Sequence, residues 1–244
     1  MAEEKPLDGR LALVTGASRG VGYQAALGFA RAGAHVIALA RTVGGLEELD
    51  DEIIDLGGST TLVPLDVMDF DAIDRLGASI DERWGKLDIL FGNAGTLGVL
   101  TPLAQNKPSV FEEVFSINVT ANYRLLRSMD PLLRESDAGR AIFMSSGAAS
   151  AAPAFVGPYS ASKAALEALV KSYAKENRLT SVRANLVDPG TLRTKMRAQY
   201  APGEDPQIVT PPQDLVPFLV DMASPSLEQT GQIYDFVNRC WRDS

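Results

Sequence analysis

Residues 11–22 read Leu11-Ala12-Leu13-Val14-Thr15-Gly16-Ala17-Ser18-Arg19-Gly20-Val21-Gly22. The apolar run Leu11 to Thr15 lacks polar alternation, which fits a strand buried on both faces. Glycines then let the backbone turn tightly, and Val21 to Ala32 has helical spacing up to a stop at Gly33. A strand, a glycine turn and a helix in this order make a phosphate cradle. Backbone can approach closely there, and the anion rests on the positive end of the helix. The spacing is Gly-x3-Gly-x-Gly, with Gly16, Ser18, Arg19, Gly20, Val21 and Gly22 as the cradle residues.

The same alternation runs outward along the chain. Strands are expected at Val36–Ala40, Thr60–Leu65, Leu87–Phe91, Arg140–Ser145, Val182–Val187 and Gln232–Val237. Between them, helices are expected at Leu46–Leu56, Asp69–Trp84, Ser109–Leu133 (interrupted by Pro131), Tyr159–Asn177 and Asp214–Met222. Strands separated by helices, with short joins, give an α/β chain with a doubly wound, mostly parallel sheet of the Rossmann type. Helices cover both faces, and ligands bind beyond the carboxyl ends of the strands. Residues 1–244 are read as one domain. Arg193 to Pro212, carrying Pro202, Pro206, Pro211 and Pro212, is the one long irregular stretch, and a substrate loop is expected at about 190–212.

Composition excludes several other classes. The net charge of −8 argues against nucleic-acid binding. No apolar run is long enough for a membrane span, and the acidic start does not read as a signal peptide, so a cytoplasmic protein is expected. The chain has one histidine, His35, and one cysteine, Cys240, which leaves little for a zinc site or a Ser-His-Asp triad. His35 reads as structural and Cys240 as inert. No metal site is expected. Acid–base chemistry must then come from Tyr, Lys, Asp or Glu.

The glycine spacing resembles that of the short-chain dehydrogenase/reductase family, and further matches follow in order. Asp66-Val67 closes the third strand, where the resemblance implies contacts to the adenine. Asn93-Ala94-Gly95 closes the fourth, with Gly92 where the family usually has a first Asn. Asn118, in Ser116-Ile117-Asn118-Val119-Thr120, matches a mid-helix Asn. Ser146 matches the family's catalytic Ser, and Tyr159 and Lys163 its Tyr-x3-Lys pair. Pro189-Gly190-Thr191-Leu192-Arg193-Thr194 matches a segment beside the nicotinamide, with Pro189, Gly190, Leu192 and Thr194 as contacts. Six matches in the correct order make a strong signal. The resemblance implies that Lys163 also holds the nicotinamide ribose, and that Asn118 anchors a water linking Lys163 to solvent.

These residues suit the interconversion of a carbonyl and an alcohol, in which a proton moves at oxygen as hydride moves at carbon. A free tyrosine has a pKa of about 10, and lowering it by ~3 units means favouring the phenolate by about 4 kcal/mol. Lys163, four residues from Tyr159 on an expected helix, places an ammonium beside the phenol, and the nicotinamide's positive charge is expected to help it lower the pKa. Ser146 is expected to hydrogen-bond the substrate oxygen. Ser145 is the neighbouring candidate, but strand alternation aims only one of the two at the crevice, and the spacing selects Ser146.

At the end of the second strand, Ala40 stands where an NAD enzyme usually carries a carboxylate, and Arg41 follows. Arg41 and Arg19 favour a 2′-phosphate, hence NADP(H) over NAD(H). Leu97, Gly98, Gly147, Ala148, Phe155, Val156, Leu192, Met196 and Tyr200 are the expected pocket wall, suited to an uncharged, hydrophobic small molecule. The basic trio Arg193, Lys195 and Arg197 reads as a solvated loop face, or as a handle for an acidic or acyl-carrier substrate. The resemblance implies a homodimer or homotetramer through the helices at 109–133 and 159–177. Two other readings stay open. A protein that binds NADP(H) without turnover predicts a degraded Ser-Tyr-Lys set. An enoyl reductase predicts Tyr and Lys spaced more widely than x3.

Overall fold

A computed structural model describes residues 5–242. The eight strands of the described residues lie in one sheet of order β3-β2-β1-β4-β5-β6-β7-β8. They are β1 (Leu11–Thr15), β2 (His35–Ala40), β3 (Ser59–Pro64), β4 (Ile89–Gly92), β5 (Arg140–Met144), β6 (Arg183–Asp188), β7 (Ile233–Asp235) and β8 (Cys240–Arg242). Neighbouring strands from β3 to β7 pair in parallel, and β8 is antiparallel to β7.

Alternation along the central strands explains the apolar runs. Leu11 and Leu13 of β1 and Ala141 and Phe143 of β5 enter one core layer. Ala12 and Val14, and Ile142 and Met144, enter the other. Helices α1 (Gly20–Arg31) and α2 (Val43–Asp55) pack on the second layer. Helix α3 (Phe70–Trp84) packs on the first. Both faces are therefore covered, as the sequence pattern requires of a parallel sheet.

The expected helix over Ser109–Leu133 is not one regular helix. It comprises α4 (Pro108–Phe115), a π-helical turn (Ser116–Thr120) and α5 (Ala121–Glu135), and α5 continues past Pro131. The wide turn sets Asn118 at the junction, where its carbonyl accepts from Asn122 Nδ2 at 2.8 Å. A four-residue helix α6 (Ala148–Ala151) follows β5. Helix α7 (Gly157–Glu176) starts two residues before Tyr159, with Pro158 in its first turn.

The expected loop contains α8 (Lys195–Tyr200), capped by Thr194, whose hydroxyl accepts from Arg197 N at 3.2 Å. Helix α9 (Val216–Ala223) and the β7–β8 hairpin complete the fold. β8 was not expected from the sequence. No helix of the described residues is long and apolar enough to cross a membrane.

Candidate active site

A cleft of about 1230 Å³ crosses the carboxyl end of the sheet and is lined by residues following β1 through β7. It collects Gly16, Ser18, Arg19, Gly20 and Val21 from the first turn, Arg41 after β2, and Asp66 and Val67 after β3. Asn93, Ala94 and Gly95 come from the segment after β4, and Ser146 from that after β5. Tyr159 and Lys163 come from α7, and Pro189, Gly190, Leu192 and Thr194 from the segment after β6. Of the residues picked out in the sequence, Gly22 and Asn118 are not on the cleft wall; both lie buried behind it. His35 sits at the opposite, amino end of β2, where its ring nitrogens meet Ser59 Oγ at 2.7 Å and Thr61 Oγ1 at 2.9 Å. Among the described residues no cluster of three His, Cys, Asp or Glu side chains is arranged to hold a metal.

The glycine turn has the shape a pyrophosphate needs. Gly16 has φ +69°, and a Cβ on Gly22 would overlap the Gly16 carbonyl oxygen. Gly22 therefore lets the start of α1 fold down onto the turn. Arg19, the residue preceding α1, makes no side-chain cap, which leaves the positive end of the helix facing the cleft. Thr15 joins this turn to the next. Its hydroxyl accepts from Asn93 N and Ala94 N, each at 3.0 Å, and Asn93 Nδ2 donates to Thr15 O at 2.9 Å. The sequence reading did not assign Thr15 a part in the site. These features fit a nicotinamide dinucleotide.

Tyr159 sits in the first turn of α7, only 8% exposed, and lines the cleft with Ser146. Ser146 Oγ accepts from Ala148 N at 3.2 Å. Ser145 also lines the cleft, and its hydroxyl donates to Glu167 at 2.5 Å. Lys163 is fully buried, and its Nζ donates to Met144 O at 2.7 Å.

Among the chain's own groups, burial sets the direction of both shifts. Burial holds the Tyr159 phenol above its ordinary 10.0, the Ser146 side chain pulls the other way, and the nearby Asp188 charge raises it further. Lys163 Nζ lies 5.7 Å from the Tyr159 ring centre and does not overcome the burial. Burial also pushes the Lys163 ammonium down to about 8, against a smaller opposing pull from Glu167. Tyr159 is therefore a neutral phenol at neutral pH, in the state that donates a proton.

Asn118 is completely buried with both ends of its amide engaged. Its Oδ1 accepts from Thr96 N, and its Nδ2 donates to Thr96 O and Ser162 Oγ, all at 2.9 Å. Ser162 Oγ in turn donates to Tyr159 O at 2.7 Å. Asn118 thus ties the segment after β4 to the first turn of α7.

Leu97, Val156 and Tyr159 form a small apolar cluster with Ala148, Met196 and Tyr200, so α8 covers the cleft beside the phenol. Gln199 Nε2 of α8 donates to Gly98 O at 2.7 Å across the opening. Two expected wall residues are absent from the lining, Gly98 and Phe155. Ala152 (φ +43°) and Phe155 (φ +70°) reverse the chain before α7 and leave Phe155 55% exposed. Arg193, Lys195 and Arg197 line the cleft, but Arg197 is held by Glu204 through two contacts of 2.6 Å.

The family model described as short chain dehydrogenase matches residues 10–205. The chain belongs to the short-chain dehydrogenase family. It is 36% identical over 233 residues to the oxidoreductase YciK of Escherichia coli K12, spanning 94% of this chain and 92% of that protein. A short-chain dehydrogenase structure from Pseudomonas syringae superposes with a TM-score of 0.93 at 36% identity, covering 97% of this chain and 98% of that one. Another, from Shigella flexneri in complex with NADP, has a TM-score of 0.92 at 35% identity and covers 96% of this chain and 100% of that one. This short-chain dehydrogenase is accordingly an oxidoreductase.

Proposed function

We propose that this enzyme interconverts a small, largely apolar carbonyl compound and its alcohol with NADP(H), Tyr159 serving as the proton-transfer residue. The observation that carries this reading is the buried Tyr159, which lines the cleft together with Ser146 and Lys163 in an apolar pocket covered by α8. Met196 and Tyr200 close that pocket and keep bulk water from the reacting carbon.

When bound, the nicotinamide supplies the hydride and, once oxidised, a positive charge. Ser146 holds the substrate carbonyl oxygen against the phenol, and Tyr159 gives its proton to that oxygen as negative charge develops there. An alkoxide is a far stronger base than a phenolate, so a phenol held neutral by burial is still a competent donor. Lys163 holds the ribose hydroxyls and keeps a cation near the phenolate left behind. Asn118 acts as a positioning residue through Thr96 and Ser162. Gly16, Ser18, Arg19, Gly20 and Val21 carry the pyrophosphate. Asp66 and Val67 hold the adenine, Asn93, Ala94 and Gly95 flank the ribose, and Pro189, Gly190, Leu192 and Thr194 hold the carboxamide. The whole chain acts as one domain with a substrate loop at about 190–212. Its site is assigned to the cytoplasm and to a homodimer or homotetramer; a monomer by light scattering would remove the assembly.

Preference for NADP(H) rests on Arg41. Its guanidinium is 65% exposed and lies 3.5 Å from Asp66 Oδ2. Such a surface pair is worth about 0–1 kcal/mol, so a doubly charged phosphate that Arg41 can grip in two places readily displaces it. Ala40 places no carboxylate there to repel the phosphate. Arg41→Ala is expected to lower kcat/KM with NADPH by about tenfold, on the order of one charge-assisted contact, and to leave NADH nearly unaffected. The reading is tested by following NADPH consumption over a panel of ketones, aldehydes, β-ketoacyl thioesters and secondary alcohols. Wild-type preference for NADH would defeat the cofactor assignment, and failure of every carbonyl compound would defeat the reaction.

A further inference from the structure

Asp188 is the last residue of β6, buried at the cleft wall directly before Pro189 and Gly190. One carboxylate oxygen, Oδ1, accepts from Gly147 N at 3.0 Å and from Gly190 N at 3.2 Å. A single side chain therefore bridges the turn that carries Ser146 and the turn assigned to the nicotinamide. The other oxygen, Oδ2, accepts from Arg242 Nη2 at 2.8 Å. Arg242 lies on β8, the edge strand, and reaches across β7 to meet Asp188. Its Nε also lies 3.5 Å from Asp235 Oδ2. Asp235 itself holds the β7–β8 turn, accepting from Asn238 N at 3.0 Å and Asn238 Nδ2 at 2.9 Å.

We propose that Arg242 is a positioning residue for the active site, acting through Asp188 on the Ser146–Gly147 and Pro189–Gly190 turns. A carboxylate with one oxygen shared by two amides can still rotate about its own bond. A guanidinium on the second oxygen removes that freedom, and it offsets a negative charge beside Tyr159. The charged groups around this point are Asp188 on β6, Asp235 on β7, Arg242 on β8, and Lys163 and Glu167 on α7. Arg242 is thus the cation that balances two carboxylates at this end of the sheet. In the sequence, Arg242 shows nothing but a charge on a short polar tail. The function assigned to it rests on the catalytic reading above, while its effect on the two turns does not.

The test is hydrogen–deuterium exchange of the full chain, with Arg242→Gln and Arg242→Lys beside wild type. Arg242→Gln is expected to exchange faster in the turns at 146–152 and 188–194, with the β7–β8 hairpin amides unchanged. With a carbonyl substrate identified from the panel, its kcat is expected to fall by about tenfold, the scale of a small misplacement of reacting groups. Arg242→Lys is expected to restore most of both. Unchanged exchange in the two turns would overturn the proposal, as would loosening confined to the hairpin, or Lys failing to rescue. The exchange measurement needs no substrate. An enzyme inert toward every carbonyl compound but showing the turn loosening would therefore defeat the catalytic reading alone.

Discussion

Tyr159→Phe is expected to lower kcat/KM for carbonyl reduction by about 10²–10⁴-fold, the range for loss of a positioned acid, with NADPH affinity essentially kept. The variant removes one oxygen and leaves the ring in its cluster with Leu97 and Val156. The glycine turn and the Asn93 segment are untouched, because their hydrogen bonds run through Thr15, and the link from Thr96 through Asn118 and Ser162 ends on the Tyr159 backbone carbonyl and not on its phenol. Ser146 keeps its bond from Ala148 N and can still hold a carbonyl oxygen. Fluorescence titration of NADPH and turnover, measured on the same preparation, separate the two effects. A variant that turns over normally would remove the centre of the mechanism. Weakened cofactor binding equal to the rate loss would show that the phenol's role is structural.

Lys163→Met is expected to act on activity and stability in opposite directions. Turnover should fall by about 10²-fold or more, because the variant loses the cation near the phenolate and the donor to the ribose. The free protein should nonetheless become more stable. Burial lowers the Lys163 pKa from 10.5 to about 8. Below pH 8 both folded and unfolded chains carry the proton, and the folded chain bears the full cost of a buried ammonium. Between about 8 and 10.5 the folded chain releases its proton first, so the unfolded state binds more protons and stability rises with pH. The difference of about 2.5 units corresponds to roughly 3 kcal/mol, reduced by about 1 kcal/mol for the lost bond to Met144 O. Urea unfolding should show the variant more stable than wild type below pH 8, with the gap closing near pH 10.5. A variant less stable at neutral pH would mean that Lys163 is held by interactions stronger than its burial cost.

The parts of this site legible in the sequence were those encoded locally. The run Leu11–Thr15 followed by glycines announces a buried strand and a cradle because both are properties of consecutive residues. Ser145 and Ser146 both follow β5 and both line the cleft, so strand alternation does not separate them; the bond from Ser145 to Glu167 of α7 does, and it depends on a partner 22 residues away. Other features depend on partners far along the chain. The π-helical turn at Ser116–Thr120 has the same apolar spacing as an α-helix, and only its junction with α7 through Asn118 and Ser162 reveals it. Helix α8 is six residues long among prolines and glycines, with Thr194 as its one local signal. Strand β8 is three residues, Cys240-Trp241-Arg242, too short to show a period. The four-residue spacing from Tyr159 to Lys163 is visible in the sequence, whereas the burial of the phenol is shared among residues far apart in the chain, Leu97, Ala148, Val156, Met196 and Tyr200.

The central claim is that the Tyr159 phenol delivers its proton to the substrate oxygen in the step that moves hydride. Isotope effects measured together test this most directly, with NADPH deuterated at the transferred position and the reaction run in H₂O and D₂O. Wild type should be slowed by both substitutions, each still expressed when the other is present. The residual turnover of Tyr159→Phe should keep the cofactor effect and lose the solvent effect. An equal solvent effect in wild type and Tyr159→Phe would contradict the account, since the proton would then come from another group.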